Sequence, residues 1–319
     1  MMSRMPVDGA VAPSRERLAA PDRHDAERAI GASLLGPGSL TWRTCAEWRM
    51  LSGAGSALLL QVAHPAVGHA VGRYSTYRER PFHRLDQTMA LVFGGIVFGV
   101  GGRGEQAFRV HQMHNKLEGT DFRGRAYHAQ DPEAFFWVLA TLIEMGRRMC
   151  RRFGPPIHDH ELPRFYAEWQ EVGRRIGLED RHMPPDYPAF RRYWGEMLRD
   201  GLDRNQTVDE VLATITAAPL PPGSPIPTRL WDPTGGRIGG HVLELLAIGL
   251  LPAELRRDWQ MDWGAGDERR LRAIAAVARR TFPRLPRRMA IHPWAAPAVL
   301  GPDARVLGRG LAPGAPRPA

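Results

Sequence analysis

Cysteine is almost missing from this 319-residue chain: Cys45 and Cys150 are the only two, and neither belongs to a CxxC pair. A disulfide framework, a zinc ribbon and a dithiol redox centre are thereby excluded, and a reducing compartment is expected. Long apolar runs are missing too. The longest, Met89 to Gly102, has 14 residues, five of them glycine, against the roughly 20 that a membrane-spanning helix needs. It predicts a buried helix rather than a transmembrane segment. Residues 1–20 carry Pro6, Asp8, Pro13 and Glu16 with no unbroken apolar stretch, so no secretion signal is expected and the setting is expected to be cytoplasmic.

Lysine is reduced to one residue, Lys116, which leaves 42 arginines among the 43 basic side chains. The formal charge of +9 and a pI near 10.4 suit an anionic partner in principle. The arginines run from end to end, with short clusters at Arg147/Arg148 and Arg151/Arg152, at Arg269/Arg270 and at Arg287/Arg288. Such pairs are usually solvated helix faces. No helix-turn-helix, zinc-finger or RNA-binding signature accompanies them, and no nucleic-acid partner is expected.

What is present is a globular composition, 43% hydrophobic and 24% charged, in segments of helical period. Helices are expected over 41–50, 54–62, 65–74, 84–98, 105–118, 160–176, 187–200, 207–217, 241–250 and 267–282. Asp131-Pro132-Glu133 supplies an N-cap, a first-turn proline and a first-turn acid for a long helix reaching Phe153. Turn chemistry in 119–130 predicts a small hairpin or loop. No alternation of strands and helices and no internal repeat is visible. The expectation is a mainly α, single-domain protein over residues 22–301. Residues 1–21 and 302–319, rich in Pro, Gly, Ala and Arg, are expected to be disordered ends.

Several motifs carry chemistry. Gly99, Gly101 and Gly104 spell a GxGxxG, which at a strand-to-helix turn would mark a dinucleotide-dependent oxidoreductase; between two helices the same letters are only a glycine-rich turn. Ala107, Val110, His114 and Leu117 fall on one helical stripe. A histidine there is most often a core residue bonded to a carbonyl, and it is also how a haem protein presents an axial imidazole. His111, His114 and Glu118 share a helical face that would suit a non-haem metal if a facing helix added carboxylates. Arg84 and Thr88, one turn apart in RLDQT, place a guanidinium and a hydroxyl side by side. A buried arginine there needs an acidic or ligand partner. There is no HExxH and no P-loop, and Gly53 to Ala57 breaks the GxSxG elbow.

In order, LLLQVAHPAVGHAV (Leu58 to Val71), RLDQT (Arg84 to Thr88), HQMH ending at His114, AYHAQDPEAFFWVLATL (Ala126 to Leu142), FYAEW (Phe165 to Trp169) and LPAELRRDW (Leu251 to Trp259) resemble an oxygenase family. It includes the bacterial latex-clearing (rubber) oxygenases and the fungal mycophenolic-acid-pathway oxygenase, and the resemblance covers roughly residues 40–295. It implies a globin-like helical domain enclosing a haem b pocket. His114 would match the proximal iron ligand, and Arg84 with Thr88 the distal RxxxT motif. Their N–H and O–H donors suit negative charge developing on dioxygen. The implied activity is that of a haem-b-dependent oxygenase-type oxidoreductase using dioxygen. The alternative is a non-catalytic haem-binding or haem-sensing protein. Two positions depart from the family: residues 57–77 hold no carboxylate where the rubber enzymes have a distal glutamate, and Leu139 stands where many relatives carry histidine. With no export signal, a small apolar substrate, isoprenoid-like ones included, is expected rather than rubber.

Overall fold

The computed structural model describes residues 16–19, 34–100, 102–220 and 231–306. Most of the expected ends, 1–21 and 302–319, and Gly101 of the glycine motif lie outside them. Residues 16–19 lie against the domain: Leu18 is buried and its N–H donates to the Gln130 carbonyl at 3.1 Å.

Helices dominate the described residues, as the helical period predicts. In chain order they are α1 (Leu40–Cys45), α2 (Ala54–Ala63), α3 (Pro65–Tyr74), α4 (Pro81–Thr88), α5 (Arg103–His114), α6 (Pro132–Phe153), α7 (Leu162–Arg175), α8 (Tyr187–Glu196), α9 (Gln206–Thr216), α10 (Arg237–Gly249), α11 (Ala253–Asp258), α12 (Ala265–Thr281), α13 (Arg287–Ala290) and α14 (Ala296–Leu300). The two strands are β1 (Glu118–Thr120) and β2 (Ala126–His128), paired antiparallel with Gly119 opposite Tyr127.

Helix α2 is the axis of the core. Its sequence AGSALLLQVA is apolar nearly all round, the pattern of a helix buried on every side. It packs against α3, α6, α9 and α10. A Cβ at Gly55 would lie 3.0 Å from that of Ala247, so the small residue is what lets α10 approach. The Trp137 indole of α6 donates to the Leu60 carbonyl at 2.9 Å, and Gln61 donates to Thr141 at 2.9 Å. Between α2 and α3 the chain turns through 106° at His64, where Pro65 opens the next helix. Among the described residues no single helix is long and apolar enough to cross a membrane.

Several expected helices differ in detail: the one over 105–118 ends at His114, with Glu118 in β1, and the one over 187–200 becomes π-helical from Met197. The one over 41–50 breaks after Cys45 because Glu47 bridges to Ile291 and the Ala46 carbonyl accepts the His292 N–H. The one over 84–98 starts earlier, at Pro81, and becomes π-helical over Met89–Val97.

The FYAEW segment is scaffold. Glu168 is fully buried in α7, and its carboxylate accepts the first-turn N–H groups of α1 from Leu40 (3.1 Å) and Thr41 (2.7 Å), with Arg164 at 3.1 Å. Those donors have no partner inside their own helix. Glu168→Ala should therefore destabilise the protein by about 2–4 kcal/mol, the cost of stranding two buried N–H groups. Urea unfolding reads this as a lower midpoint at similar slope; an unchanged midpoint would contradict it.

Candidate active site

Helix α4 opens with Pro81 at its first turn, and Arg84 and Thr88 follow one turn apart. The Thr88 hydroxyl donates to the Arg84 carbonyl at 3.1 Å and accepts from Nη1 of Arg84 at 2.5 Å. Both side chains are half-buried. No carboxylate lies within salt-bridge distance of the Arg84 guanidinium among the described residues, and burial holds its pKa below the usual arginine value. This is a desolvated cation without a protein anion, which is costly unless a ligand supplies one.

Asp86 stands between them but roughly 200° round the helix from Arg84. It is buried, and it accepts the Trp294 indole N–H at 2.8 Å. That bond fixes which side of α4 faces the core, leaving Arg84 and Thr88 on the other.

The π-helical segment carries α4 into the glycine-rich turn. Single π turns inside helices recur at functional sites; this one spans nine residues. A Cβ at Gly95 would lie 2.3 Å from the Gln106 side chain, so only glycine allows α5 to pack this closely. Gly99 (φ +75°) and Gly102 (φ +82°) make the turn, and Gly102 caps α5. A helix precedes the motif, so the strand that a dinucleotide fingerprint requires is absent, and Gly99 and Gly102 serve a helix-to-helix reversal.

That reversal brings in His114, at the last turn of α5. Its Nδ1–H donates to the Val110 carbonyl at 2.7 Å, and its ring meets Phe135 edge-on at 5.5 Å. Burial, opposed by the Val110 bond, lowers its pKa, and the Arg84 charge lowers it further. Imidazole is thus neutral at neutral pH, with Nε2 carrying the lone pair, and the arginine of α4 lies within electrostatic reach. A carbonyl on one nitrogen that fixes the tautomer and aims the other is the usual outer support of a metal-ligating histidine.

Its neighbours are committed elsewhere. His111 is buried and donates from Nε2 to the Ile176 carbonyl at 2.7 Å, while Nδ1 faces Gln130 at 3.5 Å. His128 donates from Nε2 to Asn115 and accepts the Gln130 N–H on Nδ1, both at 3.1 Å. Glu118 lies in β1, on the exposed side near Arg17. The non-haem metal face of His111, His114 and Glu118 therefore does not form. Among the described residues, the group with ligand atoms close enough for a common ion is Glu16, Glu179 and His182, where Arg181 already bridges both carboxylates.

The family model described as ER-bound oxygenase mpaB/B'/rubber oxygenase, catalytic domain, matches residues 42–280. The chain belongs to this oxygenase family. Uncharacterised proteins of Mycobacterium bovis and Mycobacterium tuberculosis are each 25% identical over 230 residues, covering 70% of this chain and 84% of theirs. No solved structure matches. The mpaB/rubber oxygenase match spans α2 to α12, and hence every residue of the Arg84–Thr88–His114 set.

Leu139 is buried in the core, 3.1 Å from where a Cβ at Gly173 would stand. In the segment without carboxylates, His64 is buried at the α2–α3 bend; its Nδ1 has no partner among the described residues, and burial pushes its pKa down to about 4. The charges that act on it are Asp121, Arg123, Arg125 and Asp203, not Arg84. The Asp86–Trp294 bond escaped the sequence reading altogether. Its only signal was a carboxylate at the wrong helical phase for a solvated face, and Trp294 lies 208 residues away.

Proposed function

We propose that the protein is a haem-b-dependent oxygenase-type oxidoreductase that uses dioxygen on a small apolar substrate, with His114 as the residue that would hold the iron and Arg84 and Thr88 as the pair that would face dioxygen. The observation that carries it is the His114 imidazole held by Val110, with Nε2 unengaged beside a half-buried Arg84 that has no carboxylate. The residues present fit such a group: a neutral nitrogen donor, an unpaired cation and apolar walls.

Haem iron, when bound, supplies one-electron and dioxygen chemistry that no side chain offers. The protein's part is positioning. The Val110 carbonyl keeps the Nδ1 proton of His114 in place, so Nε2 stays a lone-pair donor. Arg84 supplies N–H donors whose charge does not titrate, and Thr88 steadies the guanidinium through its hydroxyl. Those donors would stabilise negative charge developing on dioxygen. Leu91, half-buried just beyond Thr88, would favour an apolar substrate over a charged one.

Arg84→Ala should retain haem but shift the absorption spectrum and speed autoxidation of the dioxygen complex by about tenfold. That is the scale of one lost charged hydrogen bond. Thr88→Val, similar in shape but without the hydroxyl, should act in the same direction and more weakly. Cyanide affinity and autoxidation unchanged in both variants would overturn the distal assignment.

A further inference from the structure

The formal charge of +9 has an uneven origin. Residues 269–302 hold eight arginines and not one aspartate or glutamate, so the rest of the chain is nearly neutral. Arginine is everywhere; what is missing from this stretch is acid. Asp267 and Glu268, just before it, pair with Arg270 and Arg272. Arg269, Arg279, Arg280, Arg284, Arg287 and Arg288 meet no carboxylate among the described residues, and all six are exposed.

The stretch also exposes apolar side chains that a solvated face would not. Helix α12 buries Leu271 and Ala275 on its inner side. Outward it presents Arg269, Ala273, Val277 and Arg280, spaced four, four and three. Val277 is 61% exposed and Met289, beside Arg287 and Arg288 on α13, is 40% exposed. Pro283 and Pro286 between the two helices are exposed as well.

We propose that this C-terminal face, α12 through α13, docks on an anionic lipid bilayer. Arginines carrying no carboxylate partner match a negatively charged surface, and snorkelling guanidinium groups leave Val277 and Met289 free to enter the acyl boundary. A nucleic acid would satisfy the charges but offers nothing to the apolar side chains. The inference is independent of haem and of the Arg84–Thr88–His114 site.

The test is co-sedimentation of the full chain with vesicles of phosphatidylcholine and phosphatidylglycerol at about three to one, and with phosphatidylcholine alone. Binding is expected to the first only, and to weaken as salt rises from about 0.05 to 0.5 M. The triple variant Arg280→Glu/Arg287→Glu/Arg288→Glu should lose at least about tenfold in affinity. The control Arg192→Glu/Arg199→Glu/Arg257→Glu, with the same change in net charge at other exposed sites, should lose far less. Val277→Ser should weaken binding a few-fold without changing its salt dependence. Equal losses in the two triple variants, no binding to anionic vesicles, or a short DNA duplex displacing the protein from them and binding Val277→Ser as tightly as the parent, would each overturn the proposal.

Discussion

His114→Ala is expected to emerge from a haem-supplied expression host essentially colourless, with at least about tenfold less haem per chain than the parent protein. Deleting the imidazole removes the one nitrogen that His111, His114 and His128 together leave without a hydrogen bond. The iron would lose its protein ligand, and the remaining apolar and ionic contacts would hold haem weakly. His111→Ala is the informative partner. It strands the Ile176 carbonyl and loosens Gln130, so it should cost about 1–3 kcal/mol in folding stability. Its haem content should nevertheless stay near that of the parent. The two variants thus separate ligation from packing: one loses haem without a comparable loss of stability, the other the reverse. Equal haem loss in both would contradict the assignment.

A steep loss of stability between about pH 6.5 and pH 4 is the second large effect expected. His292 is fully buried, donating from Nε2 to the Cys45 carbonyl at 2.8 Å and accepting the Ala295 N–H on Nδ1 at 3.1 Å. Burial outweighs the Cys45 bond and brings its pKa down to about 4, and burial does the same to His64. In the unfolded chain both titrate near 6.5. Above that pH both states are neutral and the full contribution is present. As the pH falls, the unfolded chain takes up protons that the folded protein refuses, and stability is lost until the folded pKa is reached. Each histidine accounts for about 3 kcal/mol at most over that window, at 1.36 kcal/mol per unit. Urea unfolding at pH 7.5, 6, 5 and 4.5 measures it. His292→Gln should shallow the slope by close to one proton, whatever it does to stability at pH 7.5. A slope unchanged by that substitution would refute the assignment.

Much of this was legible because its signals are local. The first-turn proline and acid announced α6, the turn residues announced the hairpin, and RLDQT placed Arg84 and Thr88 on one side of a helix. The apolar stripe around His114 likewise foretold a half-buried imidazole, and its carbonyl partner proved to be Val110, four residues back. What stayed hidden depends on distant partners. Nothing in EWRML reveals that Glu47 bridges to Ile291, which is why the helix expected over 41–50 stops at Cys45. The switch to π-helix at Met89 accompanies the packing of Gly94 on Trp294 and Gly95 on Gln106, contacts invisible to periodicity. The glycine motif misled for the reverse reason: its letters are local, but the dinucleotide meaning depends on a preceding strand, and a helix stands there. In FYAEW and LPAELRRDW the sequence carried the family resemblance without the contacts. In this chain those segments hold a buried Glu168 that caps α1, and an Arg256 that donates to the Gly249 and Leu251 carbonyls and stacks on Trp263.

This oxygenase-family chain is expected to carry haem b, and the direct measurement is the haem-to-protein ratio. Protein purified from a haem-supplied host is converted to its pyridine haemochrome, with metal analysis on the same sample. The expected result is close to one b-type haem and one iron per chain. Stoichiometric zinc or manganese with no haem, or a protein that takes up neither haem nor iron, would contradict it.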